Sequence, residues 1–187
     1  AHTPDALQTC ILNIREQFSD KHISVLFGCG GDRDKGKRSK MGKIADKYAD
    51  KIYLTDDNPR HERPKKIRDE IKRGIKKRQI IEISNRKEAI VKAINNLNTG
   101  DILIVAGKGH EKIQQIGNRK VFLSDRQIIL NSIKKKNFNL SKNLKINIFN
   151  ERFDQNVLSS KSAINKASIN SKSCLLYTSD AADEEDS

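Results

Sequence analysis

The fold of this chain is indicated by its most apolar stretch, Ile102-Leu103-Ile104-Val105-Ala106. Apolar and polar residues do not alternate along it, which is typical of a strand that is buried on both faces of a sheet. Three further apolar runs precede it, at residues 23–27, 51–54 and 79–83. Amphipathic helical patterns lie between these runs, so that strand and helix alternate along the chain. This alternation predicts an α/β fold with a mostly parallel sheet and helices on both faces.

Helix and turn signals support the same order of elements. Thr3-Pro4-Asp5 predicts the start of a first helix, because threonine can cap it and proline fits its first position. Asn85 is the expected cap of a later helix, and residues 124–127 form a capping box for the last one. Gly117-Asn118 predicts a hairpin turn. The predicted domain therefore covers residues 1–137.

Three loops follow the apolar runs directly, at residues 28–38, 55–60 and 107–111. The loops that leave the C-terminal ends of parallel strands lie along one edge of a sheet, and ligands bind there. We therefore expect the three loops to meet.

These loops carry charged groups of both signs. Arg60 follows Asn58-Pro59, and proline holds the residue before it extended, so that the guanidinium can be aimed. The guanidinium groups of Arg33 and Arg60 suit carboxylates, whereas the carboxylates of Asp57 and Glu111 suit an ammonium group. Considered jointly, these residues suit an amino-acid zwitterion better than a purely anionic ligand.

The same loops also allow less specific interpretations. As an isolated tetrapeptide, Asp57-Asn58-Pro59-Arg60 is more often a turn with solvated charges. Gly107 and Gly109 let a ligand approach the backbone, and His110 could act as a base. A single histidine is, however, more often a hydrogen-bonding residue than a base. Residue chemistry alone therefore indicates an amino-acid or nucleotide site and no particular reaction.

The segment from Gly31 to Arg38 matches the spacing of a phosphate-binding P-loop up to its last position. Arg38 stands there in place of the hydroxyl residue that would hold Mg²⁺. The segment lies between a predicted strand and a predicted helix, so it could still present N–H groups and Lys37 to an anion. We therefore expect an auxiliary anion-binding loop, with a flexible glycine turn as the alternative.

Composition bounds the class of protein. The formal net charge of +13 raises nucleic acid as a partner. The excess is lysine scattered among isoleucine and asparagine, and aromatic residues make up only 5% of the chain, which leaves few platforms for stacking bases. Cys10, Cys29 and Cys174 are widely spaced, so they predict reduced thiols and no zinc site. No apolar run approaches the roughly 18 residues that a membrane span needs.

The chain changes in character after residue 137. Residues 138–173 are rich in Asn, Lys and Ser with weak apolar periodicity, so we expect an irregular tail that is a linker or the start of a further domain. Residues 174–187 turn acidic and resemble translated adapter read-through at the end of an assembled sequence fragment. We therefore predict that this last segment is not native.

Several long motifs together resemble the C-terminal domain of the Mur ligase family. They occur in the order and spacing of that family: Ala1-His2-Thr3-Pro4-Asp5, residues 27–38, Thr55 to Arg60, Gly107 to Glu111 and Ser124-Asp125-Arg126. The resemblance covers about residues 1 to 137. It implies that the α/β sheet is Rossmann-like and that N-terminal and central domains of the same protein are its partners.

The resemblance also implies a cytoplasmic, ATP-dependent reaction of peptidoglycan synthesis. The D-glutamate carboxylate of UDP-N-acetylmuramoyl-L-alanyl-D-glutamate would become an acyl phosphate, which the amine of meso-diaminopimelate attacks to form an amide. The Asp-Asn-Pro-Arg motif matches the family members that select meso-diaminopimelate. By position, the implied binding residues for this amino acid are Arg33, Asp57, Asn58, Pro59, Arg60, Gly107 and Glu111. His2 and Lys37 occupy positions at which the C-terminal domain of the family faces ATP.

The family's own P-loop and its Mg²⁺ ligands belong to a central domain that this sequence does not contain. We therefore expect neither a metal site nor a catalytic residue here, and no turnover by this chain alone. The residues leave two other functions open: a non-catalytic amino-acid or nucleotide binding module, and a basic nucleic-acid-binding protein.

Overall fold

The computed structural model describes residues 1–139, 147–149 and 174–177, with side chains as far as residue 136. Helices and strands alternate through most of this part of the chain, in the order α1 (Pro4–Gln17), β1 (Ile23–Phe27), α2 (Gly36–Tyr48), β2 (Lys51–Leu54), α3 (Pro64–Lys72), β3 (Ile80–Glu82), α4 (Arg86–Asn95), β4 (Ile102–Val105), β5 (Ile113–Ile116), β6 (Arg119–Phe122), α5 (Asp125–Asn139), β7 (Asn147–Phe149) and β8 (Cys174–Tyr177).

Six of the strands form one sheet in the order β3-β2-β1-β4-β8-β7, and its pairings are parallel. The strand β4, which is the most apolar stretch of the sequence, lies between β1 and β8 in the interior of the sheet. β5 and β6 form a separate antiparallel hairpin. The mostly parallel α/β sheet that the alternation predicts is therefore confirmed.

Helices cover both faces of this sheet. Successive residues of a strand point to opposite faces. Val25 and Phe27 accordingly pack in one core with residues of α1, α2 and α3, whereas Leu26 packs in a second core with residues of α4 and α5. In β4, Ile104 belongs to the first core and Leu103 to the second. Both faces need apolar residues, which explains why the strand sequences show no alternation.

The helix starts of α1, α4 and α5 carry the capping side chains that the sequence predicts. The side-chain oxygens of Thr3, Asn85 and Ser124 accept hydrogen bonds from N–H groups in the first turns of α1, α4 and α5, at 3.2, 3.1 and 3.3 Å. At the start of α2, the residue before the helix makes no such bond. The N–H of Gly36 donates instead to Asp34 Oδ1 at 2.7 Å.

The part of the chain that was expected to be an irregular tail contains two short described strands. β8 pairs with β4 on one side and with β7 on the other. The apolar run Cys174-Leu175-Leu176-Tyr177, which precedes the acidic residues, accounts for β8. Residues 138 and 139 form the end of α5. The other residues of the predicted segments 138–173 and 174–187 lie outside the described residues, so the division at residue 173 and the non-native origin of the end stay predictions. None of the helices in the described ranges is long and apolar enough to cross a membrane.

Candidate functional site

The loops after β1, β2 and β4 meet at one edge of the sheet. A Cβ atom on Gly31 would lie 1.9 Å from the carbonyl oxygen of Pro59, and one on Gly107 would lie 2.6 Å from Asp57 Oδ2. Gly107 also has a φ of +111°, which side chains rarely allow. Only glycine permits these approaches, so the loop after β2 is held between the other two.

Asn58 joins its own loop, residues 55–60, to the other two loops. Its carbonyl oxygen accepts a hydrogen bond from the N–H of Gly31 at 2.8 Å. Its side-chain Nδ2 donates to Glu111 Oε2 at 2.8 Å, and its Oδ1 accepts from Lys108 Nζ at 2.9 Å and from the N–H of Gln115 at 3.1 Å. Every polar atom of this buried amide is therefore used to join neighbouring segments.

The two arginines proposed from the sequence lie on the side of Gly30. A Cβ atom on Gly30 would lie 3.0 Å from Arg60 Nη1 and 3.8 Å from Arg33 Cγ. Arg60 donates to the carbonyl oxygen of Gly31 at 2.6 Å. Arg33 is exposed and makes no hydrogen bond or ion pair with the part of the chain that the structure describes. Its guanidinium is thus available to a ligand.

Arg60 is held in an unusual backbone conformation. Its φ of +49° lies in the left-handed region, which costs free energy for a residue with a side chain. The β5–β6 hairpin fixes it there: the N–H of Arg60 donates to the carbonyl oxygen of Gln115 at 3.1 Å, and its carbonyl oxygen accepts from Gly117 at 2.6 Å. Proline sets the residue before it, but the hairpin sets the direction of Arg60.

Two carboxylates stand on the other side of Asn58. Burial would raise the pKa of Glu111, but the hydrogen bonds from Asn58 and Lys108 outweigh it, and the pKa lies below its ordinary value. Glu111 is therefore ionised at neutral pH. Asp57 is buried, and its Oδ1 accepts from the N–H of Asn58 at 2.6 Å. Its Oδ2 is buried as well and accepts no hydrogen bond from the described residues.

A buried arginine that the sequence did not indicate lies beside Asp57. Arg86 Nη2 donates to Asp125 Oδ2 at 2.6 Å and to the carbonyl oxygen of Ala106 at 2.9 Å. It lies 3.7 Å from the position of a Cβ atom on Gly107, next to the Asp57 carboxylate. The signal that could have found it is Asp125, an acidic residue of the Ser-Asp-Arg motif that the structure buries.

Of the two residues proposed to face ATP, His2 and Lys37, His2 lies near these carboxylates. His2 Nε2 is 3.9 Å from Glu111 Oε1. Burial lowers the pKa of His2, against the opposing effect of Asp57, so its imidazole is neutral at pH 7. Lys37 is half-exposed in the first turn of α2, and its charge acts on both His2 and Cys29. Burial raises the pKa of Cys29 to about 12, which excludes a thiolate nucleophile.

The structure removes Arg38 from the anion-binding loop expected between Gly31 and Arg38, whereas Arg33 and Lys37 of the same segment are exposed or half-exposed. The Arg38 side chain is fully buried and donates to Glu62 at 2.8 and 2.9 Å and to Glu70 at 2.7 Å. The arginine that replaces the hydroxyl residue of a P-loop is therefore a structural residue. The first N–H of α2 is already bonded to the Asp34 carboxylate, whose negative charge would repel an anion.

A separate cavity lies behind the β5–β6 hairpin. Its volume is about 1050 Å³, and α4, α5 and the hairpin line it, with Val91, Phe122 and Ile128 among the apolar residues. Arg33, Arg60 and Glu111 do not line it. Within the described residues, no group of three or more His, Cys, Asp or Glu side chains could hold a metal ion.

Comparisons with known proteins agree with the geometry. Residues 1–109 match the family model described as "Mur ligase, glutamate ligase domain". The chain is 55% identical over 135 residues, 72% of its length, to a UDP-N-acetylmuramoyl-L-alanyl-D-glutamate:2,6-diaminopimelate ligase from Rickettsia rickettsii. It is 47% identical over 142 residues, 75% of its length, to the ligase of the same name from Buchnera aphidicola subsp. Baizongia pistaciae.

A solved structure of a ligase of this name has a similar fold, with a TM-score of 0.68 and 38% sequence identity over 73% of this chain. The match covers 28% of that chain. The present chain likewise spans 28% of the length of each of the two curated relatives.

Proposed function

Because the chain belongs to the Mur ligase family, we propose that it is the amino-acid-binding domain of a ligase that adds meso-diaminopimelate to UDP-N-acetylmuramoyl-L-alanyl-D-glutamate. The relatives that it matches over residues of this domain are named for that reaction. The observation that carries the proposal is that Asn58 joins its own loop to the other two, which gathers guanidinium and carboxylate groups at one edge of the sheet.

The charges of this edge suit the proposed substrate. Arg33 and Arg60 would bind a carboxylate and Glu111 would bind an ammonium group, with the buried Asp57 adding negative charge behind it, so that one zwitterionic end of the amino acid is held. Pro59 and Gly107 contribute backbone shape. Lysine has no second carboxylate, and an arginine left without its partner disfavours lysine. Holding one end of diaminopimelate leaves the amine at the other end free to attack.

The remaining parts of the reaction belong to the complete ligase. ATP with Mg²⁺ would supply the phosphoryl group that activates the D-glutamate carboxylate. Arg38 would not contact the nucleotide, because it is buried and forms ion pairs with Glu62 and Glu70. His2 and Lys37 would face the nucleotide from this domain. We propose further that this chain is inactive by itself, that the other domains of the ligase are its partners, and that the protein is cytoplasmic, as the family resemblance implies.

The test is amide formation by the complete ligase with meso-diaminopimelate or with L-lysine. We expect only meso-diaminopimelate to be used well. Arg60→Ala should lower kcat/KM for it by about tenfold to a hundredfold, the usual consequence of leaving a charged group unpaired. Arg63→Ala is the matched control, because Arg63 is exposed and makes no side-chain hydrogen bond with the described residues.

Equal use of both amino acids would overturn the proposed specificity. Binding of meso-diaminopimelate without amide formation would favour the alternative, a non-catalytic amino-acid binding module. Salt-dependent binding to generic DNA would favour a nucleic-acid-binding protein.

A further inference from the structure

Lys108 is a buried cation in the middle of the candidate site. Its side chain is 0% exposed. It lies in the loop after β4 between two glycines with positive φ, Gly107 at +111° and Gly109 at +50°. Burying an ammonium group costs free energy unless hydrogen bonds and opposite charges compensate it, so the surroundings of this group need an explanation.

The ammonium group donates to three oxygen atoms. These are Asn58 Oδ1 at 2.9 Å, Glu111 Oε2 at 3.0 Å and the carbonyl oxygen of Ile113 at 2.5 Å. A lysine ammonium has three N–H donors, so all of them are used within the protein. Lys108 therefore has neither an exposed surface nor a free donor with which to touch a substrate.

These bonds decide how the amide of Asn58 is turned. Its Oδ1 faces two donors, Lys108 Nζ and the N–H of Gln115. A flipped amide would place its NH₂ group against those two donors, which is unfavourable. The Nδ2 atom must then point to Glu111, to which it donates at 2.8 Å.

The same arrangement decides how Glu111 is turned. Its Oε2 accepts from both Asn58 and Lys108. Its Oε1 lies on the side of His2, 3.9 Å from Nε2, and the side chain is 38% exposed. One carboxylate oxygen is thus tied to the protein, and the ionised group is presented to the solvent side of the site.

We infer that Lys108 is a positioning residue for amino-acid binding: it fixes the loop of residues 55–60 to the loop of residues 107–111 and aims Glu111 at the ammonium group of the substrate. This inference rests on the proposed function, because the substrate is the amino acid proposed above. Lys108 acts through Glu111 and Asn58, so its removal should weaken binding of the amino acid more than it slows the chemical step.

The test is Lys108→Met in the complete ligase, since methionine is of similar length but removes the donor that Asn58 Oδ1, Glu111 Oε2 and the carbonyl oxygen of Ile113 share. We expect the KM for meso-diaminopimelate to rise by about tenfold to a hundredfold, with kcat within about threefold of wild type. Lys136→Met is the matched control. Lys136 of α5 also donates to backbone oxygens, of Ile94 and Leu97 at 2.7 Å each, but its ammonium group lies at the C-terminal end of α4, away from the three loops.

A double-mutant cycle separates positioning from general stability. In a Glu111→Gln background, Lys108→Met should raise KM by much less than in wild type, because the group that it aims is already altered. If the two substitutions raised KM independently, so that their effects multiplied in the double variant, the inference would be overturned. A KM of Lys108→Met no higher than that of Lys136→Met would also overturn it. Should Lys108→Met fail to fold, Lys108→Gln keeps a shorter donor, and a wild-type KM for that variant would overturn the inference.

The two proposals fail in different ways. A wild-type ligase that does not use meso-diaminopimelate would overturn the proposed function and the inference together. An active wild type with an unaffected Lys108→Met variant would overturn the inference alone.

Discussion

Two charged clusters of this domain are each built on a buried cation, yet they differ in what they leave exposed. Around Arg38, the carboxylates of Glu62 and Glu70 are each only 14% exposed and both are bonded to the arginine. Around Lys108, the Glu111 side chain is 38% exposed, and one of its oxygen atoms is not bonded to the cation. The carboxylates of the Arg38 cluster are therefore enclosed in the protein, whereas the carboxylate of the Lys108 cluster is partly accessible to another molecule.

The comparison shows that a buried ion pair is not evidence of a site by itself. The Arg38 cluster also carries glycines and a P-loop spacing, which are features typical of ligand binding. Its charges are satisfied within the protein, so what it contributes is the shape of the loop after β1. The Lys108 cluster satisfies the cation and leaves part of a carboxylate for another molecule. This difference predicts that variants of the first cluster change stability and variants of the second change binding.

The largest effect is expected for Arg38→Met, which leaves Glu62 and Glu70 without their cation. Breaking a buried ion pair from one side costs about 3–5 kcal/mol of unfolding free energy. Urea unfolding of the chain would measure it, with Arg63→Met as an exposed control. A loss no greater than that of the control would show that the Arg38 cluster does not stabilise the domain and would remove one half of the comparison.

A smaller effect is expected for Glu111→Gln, and on binding rather than on folding. The variant keeps the volume of the side chain but removes the charge that the proposed substrate needs. A hydrogen bond to a charged group contributes about 1.5–3 kcal/mol, so the KM of the complete ligase for meso-diaminopimelate should rise about tenfold to a hundredfold. Unfolding free energy should fall by less than it does for Arg38→Met, because the partly exposed side chain still offers an oxygen atom to Lys108. A variant that unfolds readily but binds normally would reverse the assignment of the two clusters.

The smallest effect is a difference in acid sensitivity. Hydrogen bonds from Arg38 lower the pKa of Glu62 to about 2, from 4.5. The stability that this carboxylate contributes is therefore present above its ordinary pKa and is lost as the pH falls through about 2. Wild-type protein should lose unfolding free energy over that window, and Glu62→Gln should lose less. Measurement of urea unfolding between about pH 6 and about pH 2 compares the two; parallel curves would contradict the prediction.

Much of the fold follows from local patterns. The alternation of apolar runs with helical periodicity predicts parallel strands, and the apolar character of residues 102–106 predicts their interior position in the sheet. The caps at Thr3, Asn85 and Ser124 are local hydrogen bonds, so sequence spacing suffices to find them. The rule that strand ends share one edge also predicts that the three loops meet, as the structure shows. That Arg33, Asp57, Arg60 and Glu111 bind an amino acid stays a prediction.

The pairings that decide the charge clusters could not be found in this way. Lys108 bonds to Asn58 across 50 positions, and Arg86 bonds to Asp125 across 39. In the sequence, Lys108 is a lysine between two glycines, with no sign of the partners that bury it. Arg38 stands where a P-loop would have a hydroxyl residue, with no sign of its two carboxylate partners. The direction of Arg60 likewise depends on backbone bonds to the β5–β6 hairpin.

The amino-acid sequence by itself determined that four segments become the parallel strands β1 to β4 and that charged loops gather at one edge. It does so because periodicity, caps and strand polarity are local properties of the chain. Only the tertiary structure decided which charged groups are paired within the protein and which remain accessible to a ligand. Burial and distance between remote residues set that outcome: Arg38 is enclosed by two carboxylates, whereas Lys108 holds one carboxylate at the surface.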